Sequence, residues 1–275
     1  MIRLDVVPIW LVFAATFVIV ILAVEAGYRV GHRSHRRSED EKESPVSAIA
    51  GAILGLAAFM LAFTFGIVAD RHADRRALVR DEAVALRTAW QRSDFLPETD
   101  RGEAAALLRT YVDKRVEFAQ AGKLDSERVR SGLVDAQRIQ NRLWDMAVAN
   151  ARKDMNSDVA ALYIESLNDV NALHAMRVAI AVQTRVPTEI WLVLYCITIL
   201  GMVSVGYQTG IAGSKRSAAW PLLAFAFALV FALIGGLDRP DSGVLKVTQQ
   251  PLIDLRQAMG RRGRPRKRHS MIPRN

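Results

Sequence analysis

Four stretches without a charged side chain organise this sequence: Val6–Val24 (19 residues), Val46–Ala69 (24), Ile190–Ser214 (25) and Ser217–Leu237 (21). A helix needs about 20 apolar residues to cross roughly 30 Å of hydrocarbon. Lipid offers no partner to a free backbone N–H or C=O, so a spanning segment must satisfy its own. The runs therefore predict four transmembrane helices. Trp10, Trp191, Tyr195 and Trp220 fall near run ends, where amphipathic rings favour the membrane interface. The second run carries Gly51, Gly55 and the small residues Ala50, Ala57, Ala58 and Ala62, a spacing that lets helices approach closely. The first run is longer than a signal-peptide core of about 7–15 residues and is read as an uncleaved span.

The pattern changes between the second and third runs. No Gly or Pro occurs from Ile67 to Leu96, so the second span is expected to continue as a helix beyond the membrane. Leu78, Val79, Ala83, Leu86, Ala89 and Trp90 keep helical spacing, interrupted only by the polar Glu82. Pro97 stops this helix, and Asp100 followed by Glu103 resembles a capping box that opens the next. Its apolar face runs from Ala104 through Leu108 and Val112 to Phe118, and Gly122 ends it. A third helix is expected from about Asp125–Ser126, and a fourth over about Ser157–Arg185, with Pro187 before the third span. The fold class is thus all-α and integral to the membrane, with four transmembrane helices and a helical soluble bundle inserted between spans 2 and 3. The expected domains are 1–69 (spans 1 and 2), 70–187 (bundle), 188–240 (spans 3 and 4) and 241–275 (a basic, largely disordered tail).

Composition matters only once it is placed along the chain. The formal charge is +9, yet Asp70–Glu189 carries 19 basic and 19 acidic residues, while Leu255–Asn275 has eight basic residues and no acid. The basicity is a tail rather than a groove interleaved with aromatics, so nucleic acid is not an expected partner. Near the span ends, Arg71, Arg75, Arg76, Arg80, Arg177, Arg185 and Arg239 share the side that holds both termini. The positive-inside rule then favours cytoplasmic termini and a cytoplasmic central bundle. Five basic residues in the short first loop weigh the other way. Arg261, Arg262, Arg264, Arg266, Lys267 and Arg268 would meet anionic lipid headgroups, at about 1 kcal/mol each near the surface, or would serve only to retain topology.

Catalytic chemistry finds no support. There is no phosphate-cradling glycine loop and no Cys/His cluster at metal-ligand spacing, so neither enzyme activity, a cofactor nor a metal is expected. Cys196 is the only cysteine and lies within an apolar run, so no intrachain disulfide can form. His174 sits on a predicted helix without a partner acid at fixed spacing. The absence of charge within the runs disfavours proton relays through buried carboxylates.

Phe59-Met60-Leu61-Ala62-Phe63 followed by Arg71 resembles the pore helix of bestrophins. Gly51–Arg76, Asp81-Glu82-Ala83, Leu96-Pro97, Ser166-Leu167-Asn168-Asp169 with Arg177, Gly206-Tyr207 and Leu237-Asp238-Arg239-Pro240-Asp241-Ser242-Gly243 extend the likeness over nearly the whole chain. The chain is identified on these residues as a member of the bacterial bestrophin-like membrane proteins. The resemblance implies a homo-oligomer, a pentamer by analogy, in the bacterial inner membrane, with membrane lipid and inorganic ions as partners. It places Phe59 and Phe63 in a hydrophobic neck, with Gly55 where bestrophins carry a bulky aliphatic residue, which widens that constriction or shifts it to Leu56. Asp70, Arg71, Arg75 and Arg76 would surround the pore exit. The arginines would favour anions there, whereas Asp70 and Asp74 would favour cations.

Two functions follow from different classes. One is an ion channel gated at its apolar neck. The other is a non-conducting scaffold or sensor whose central bundle binds a partner. Asp238, Arg239, Pro240 and Gly243 are read as a structural turn at the membrane interface, where Asp238 or Arg239 could pair with Arg71 or Asp70.

Overall fold

The computed structural model describes residues 7–35, 43–121, 126–183, 185–214, 216–239 and 247–262. Among these the regular structure is helical, with no strand. In chain order the helices are α1 (Ile9–His35), α2 (Glu43–Arg92), α3 (Glu98–Gln120), α4 (Ser126–Ala151), α5 (Asp158–Gln183), α6 (Thr188–Ile211), α7 (Trp220–Asp238) and α8 (Gln250–Arg262). α1, α2, α6 and α7 are long and apolar enough to cross a membrane. The described residues divide into two compact units. One holds those up to Ala73 and those of 185–239, and the other holds Asp74–Gln183 with 247–262.

α2 runs for 50 residues without a break, as the lack of Gly and Pro beyond Gly66 dictates. A 3-10 turn, Ser93–Phe95, ends it, with the Ser93 hydroxyl donating to the Trp90 carbonyl at 2.7 Å. α3 opens at Pro97 rather than through the expected capping box at Asp100. Pro97 takes the N-cap position with no side-chain cap, its carbonyl accepting the Asp100 N–H at 2.9 Å, and Asp100 lies inside the first turn with Glu98. Both carboxylates there complement the positive end of the helix dipole. Ser157 caps α5, its hydroxyl accepting the Ala160 N–H at 3.2 Å.

The first unit packs its helices through small residues. Gly27 and Gly31 on α1 meet the Val203 and Tyr207 backbone of α6, and Gly206 and Gly210 on α6 meet the Val24 and Tyr28 backbone of α1, the two glycines of each helix standing four residues apart. A Cβ on Gly27 would collide with the Val203 carbonyl, and one on Gly206 with the Val24 carbonyl. Only hydrogen fits at these positions, so the two backbones touch. The glycines that bring helices together are therefore on α1 and α6. Gly51 and Gly55, expected in that role, stand in open space: a methyl group at either would find no atom of another helix within 4 Å. Thr16 of α1 and Tyr195 of α6 add a hydrogen bond of 2.8 Å between hydroxyls. Apolar packing completes the unit: Leu61 and Val68 of α2 meet Trp191, Leu194, Phe231 and Ile234.

The second unit has a conventional core. Leu86 and Ala89 of α2 pack with Leu108 and Val112 of α3, Leu143 of α4, and Tyr163 and Leu167 of α5. α8 joins the same core through Leu252, Leu255 and Met259. Guanidinium contacts reinforce this: Arg109 donates to the Met259 carbonyl at 2.5 Å, and Arg256 pairs with Asp113 at 2.7 Å. Within the segment 241–275, expected to be largely disordered, residues 250–262 therefore form a packed helix, and 241–246 and 263–275 lie outside the described residues. The spacing of Leu252, Leu255 and Met259 puts one apolar stripe on a helix, and burying it offsets the entropy of ordering the segment.

Candidate functional site

On α2 the exposed and buried positions fall on opposite faces. Ala50, Ala57, Leu61, Thr64 and Val68 are buried in the first unit. Gly55, Leu56, Phe59, Ala62 and Phe63 are exposed, Phe59 at 63% and Phe63 at 59%. The two phenylalanine rings stack one turn apart, with centroids 6.5 Å apart and planes 17° from parallel. Further along the same helix Asp70, Asp74 and Arg76 are exposed, Arg71 is half-buried and Arg75 is buried. Asp70 and Arg71 make no ion pair among the described residues.

The expected pairing of the α7 turn with these two residues is replaced by other bonds. The Asp238 carboxylate accepts the Val186 N–H at 3.0 Å, and Arg239 donates to the Val7 carbonyl. Asp238 thus fastens the chain just before α6. The backbone donor satisfies one oxygen of a buried carboxylate. Arg261 is exposed near the end of α8. Pro240, Gly243, Arg264, Arg266, Lys267, Arg268 and the side chain of Arg262 lie outside the described residues.

A second constellation lies in the helical unit, and sequence reading did not assemble it. Glu82 of α2 is fully buried. Arg177 of α5 and Arg115 of α3 both pair with it, Arg115 Nε lying 3.2 Å from Oε1. The Tyr111 hydroxyl of α3 lies 3.3 Å from Glu82 Oε1 and 2.9 Å from His174 Nδ1 of α5. Burial, with the Glu82 charge beside it, pushes the Tyr111 phenol far above its ordinary value. Burial and the two guanidiniums hold the His174 imidazole below its ordinary value. Burial likewise lowers Arg177. The one signal available in the sequence was Glu82 itself, a carboxylate on an otherwise apolar stripe, since such a residue is almost never fully buried unless paired. Among the described residues no group of acids, histidines and cysteines could hold a metal ion.

The helical architecture places the chain in a class of known folds. A point mutant of the bacterial bestrophin homologue from Klebsiella pneumoniae superimposes with a TM-score of 0.62 at 15% identity, covering 91% of this chain and 98% of that one. A second mutant of that homologue gives 0.61 at 17% identity, covering 93% and 99%. Its structure solved by zinc phasing gives 0.57 at 18%, covering 91% and 95%. At such identity the likeness is one of fold. The family profile of the bestrophin-like domain matches residues 14–252, and the chain belongs to the bestrophin-like family. No curated protein matches it.

Proposed function

We propose that this bestrophin-like membrane protein is a homo-oligomeric ion channel, a pentamer by analogy, whose neck is formed by Phe59 and Phe63 of α2. Helices α3 to α5 form a soluble bundle inserted between the second and third spans. The bundle and both termini lie in the cytoplasm of a bacterial cell whose inner membrane holds the protein, and the basic residues from Arg261 to Arg268 contact lipid headgroups.

The observation that carries the reading is the exposed aromatic face of α2. Lipid alone would accept any apolar residue there. Phenylalanines stacked one turn apart suit a constriction that closes by losing its water. Gly55, one turn earlier, leaves that level of the neck open.

Helical register also favours a sign of charge. At about 100° per residue, Asp70 and Asp74 fall within about 60° of the Phe59 direction. Arg75 falls about 160° away and is buried, while Arg71 and Arg76 lie to either side. Carboxylates beyond the neck favour cations. Purified protein in liposomes under a potassium chloride gradient tests this. A reversal potential toward the potassium equilibrium is expected, and Asp70→Asn should move it toward zero. A chloride-directed potential in wild type would overturn the cation assignment. Vesicles that carry no ion flux at all would favour the scaffold reading.

A further inference from the structure

We propose that His174, Tyr111 and Glu82 form a buried proton-binding site that latches α5 to α2 and α3, and that acid releases the latch. It resides wholly in the helical unit and does not depend on whether the protein conducts.

The proton inventory fixes its resting state. A phenol carries one proton, yet Tyr111 lies within bonding distance of both His174 Nδ1 and Glu82 Oε1. Both bonds form together when Nδ1–H donates to the phenol oxygen and the phenol donates to the carboxylate. That arrangement puts a proton on Nδ1, and burial beside the two guanidiniums disfavours a second proton on Nε2, so the resting imidazole is neutral. The chain of bonds then crosses three helices that are far apart in sequence.

Protonation changes the charge count. Glu82 already faces two guanidiniums, Arg115 and Arg177. Among the described residues, the charges acting on His174 are Glu82 from α2, Arg115 from α3 and Arg177 from its own helix. None comes from α4 or from the turn Ser93–Phe95. An imidazolium would make three cations around one carboxylate in a desolvated core, where like charges repel most strongly. The sign follows from the lowered imidazole. In the unfolded chain His174 takes a proton near its ordinary value of 6.5. In the folded unit it resists until lower pH. Its contribution to stability is therefore complete above about pH 6.5 and lost as pH falls through the lower, folded value.

The test is thermal unfolding of the full-length protein in detergent, from about pH 7.5 to about pH 5, across the range in which histidine titrates. Wild type should lose unfolding temperature on acidification, and His174→Gln, which stays neutral, should lose much less of it. The other histidines are retained in that variant, so the difference reports His174 alone. Equal acid-induced shifts in the two proteins would overturn the proposal. If His174→Gln fails to fold, hydrogen exchange on wild type decides: α5 amides should lose protection in acid relative to α6 amides, once intrinsic rates are removed. Unchanged relative protection would overturn it.

Discussion

The two units of this chain solve the same packing problem with different means. In the first, backbone meets backbone: Gly27 and Gly31 lie against the Val203 and Tyr207 backbone, Gly206 and Gly210 against that of Val24 and Tyr28, and one hydroxyl pair joins Thr16 to Tyr195. In the second, large side chains fill the core, and a fully buried carboxylate is held by two arginines and a tyrosine. The solvent expected around each explains the contrast. Lipid tails are as apolar as leucine, so apolar side chains gain little by leaving them for a helix partner. Close van der Waals approach and interhelical hydrogen bonds remain as the attractive forces. In water, burying a leucine or tyrosine stabilises by about 1.5–3 kcal/mol, enough to support a few buried charges provided that they are paired.

The contrast can be broken from either side, and the largest effect is expected at Glu82. Glu82→Ala leaves Arg115 and Arg177 facing each other without a counter-charge. A loss of about 3–5 kcal/mol is expected for such a broken buried pair, read as a lowered unfolding temperature of the purified protein. A loss no larger than that of an exposed substitution would mean that water already solvates the cluster. The next effect is at Gly206. Gly206→Ala places a methyl against the Val24 carbonyl, where only backbone movement can relieve it, and should cost about 1–3 kcal/mol. The matched control, Gly55→Ala, should not lower stability, because nothing lies near that position and alanine favours the helix. Equal effects at the two glycines would contradict the close α1–α6 crossing. The smallest effect is at Arg142, whose guanidinium makes two hydrogen bonds to Glu103 at 2.6 and 2.9 Å on an exposed surface. Arg142→Ala should leave the unfolding temperature within error, since water and salt screen the pair.

Much of this fold was legible in the pattern of apolar and polar residues. The charge-free runs correspond to α1, α2, α6 and α7, although α1 continues past its run to His35. Pro97 and Pro187 marked the breaks around the central helices because proline acts locally. Features set by distant parts of the chain were not legible. Small residues at the same spacing occur at Gly51 and Gly55 and at Gly27 and Gly31, and spacing cannot tell which pair faces another helix. The cluster at Glu82 needs positions 111, 115, 174 and 177 brought together by three helices, and no local motif links them. α8 was hidden by the basic residues that follow it, although Leu252, Leu255 and Met259 already drew an apolar stripe.

The claim that unites these observations is that Phe59 and Phe63 line a water-filled axis. Single-channel recording of the purified protein in planar bilayers tests it most directly. Wild type should show discrete openings, and the double variant Phe59→Ala, Phe63→Ala should show raised conductance or a pore that no longer closes, because its apolar rings are gone. Silent bilayers for both proteins, or openings that the double substitution leaves unchanged, would contradict the account.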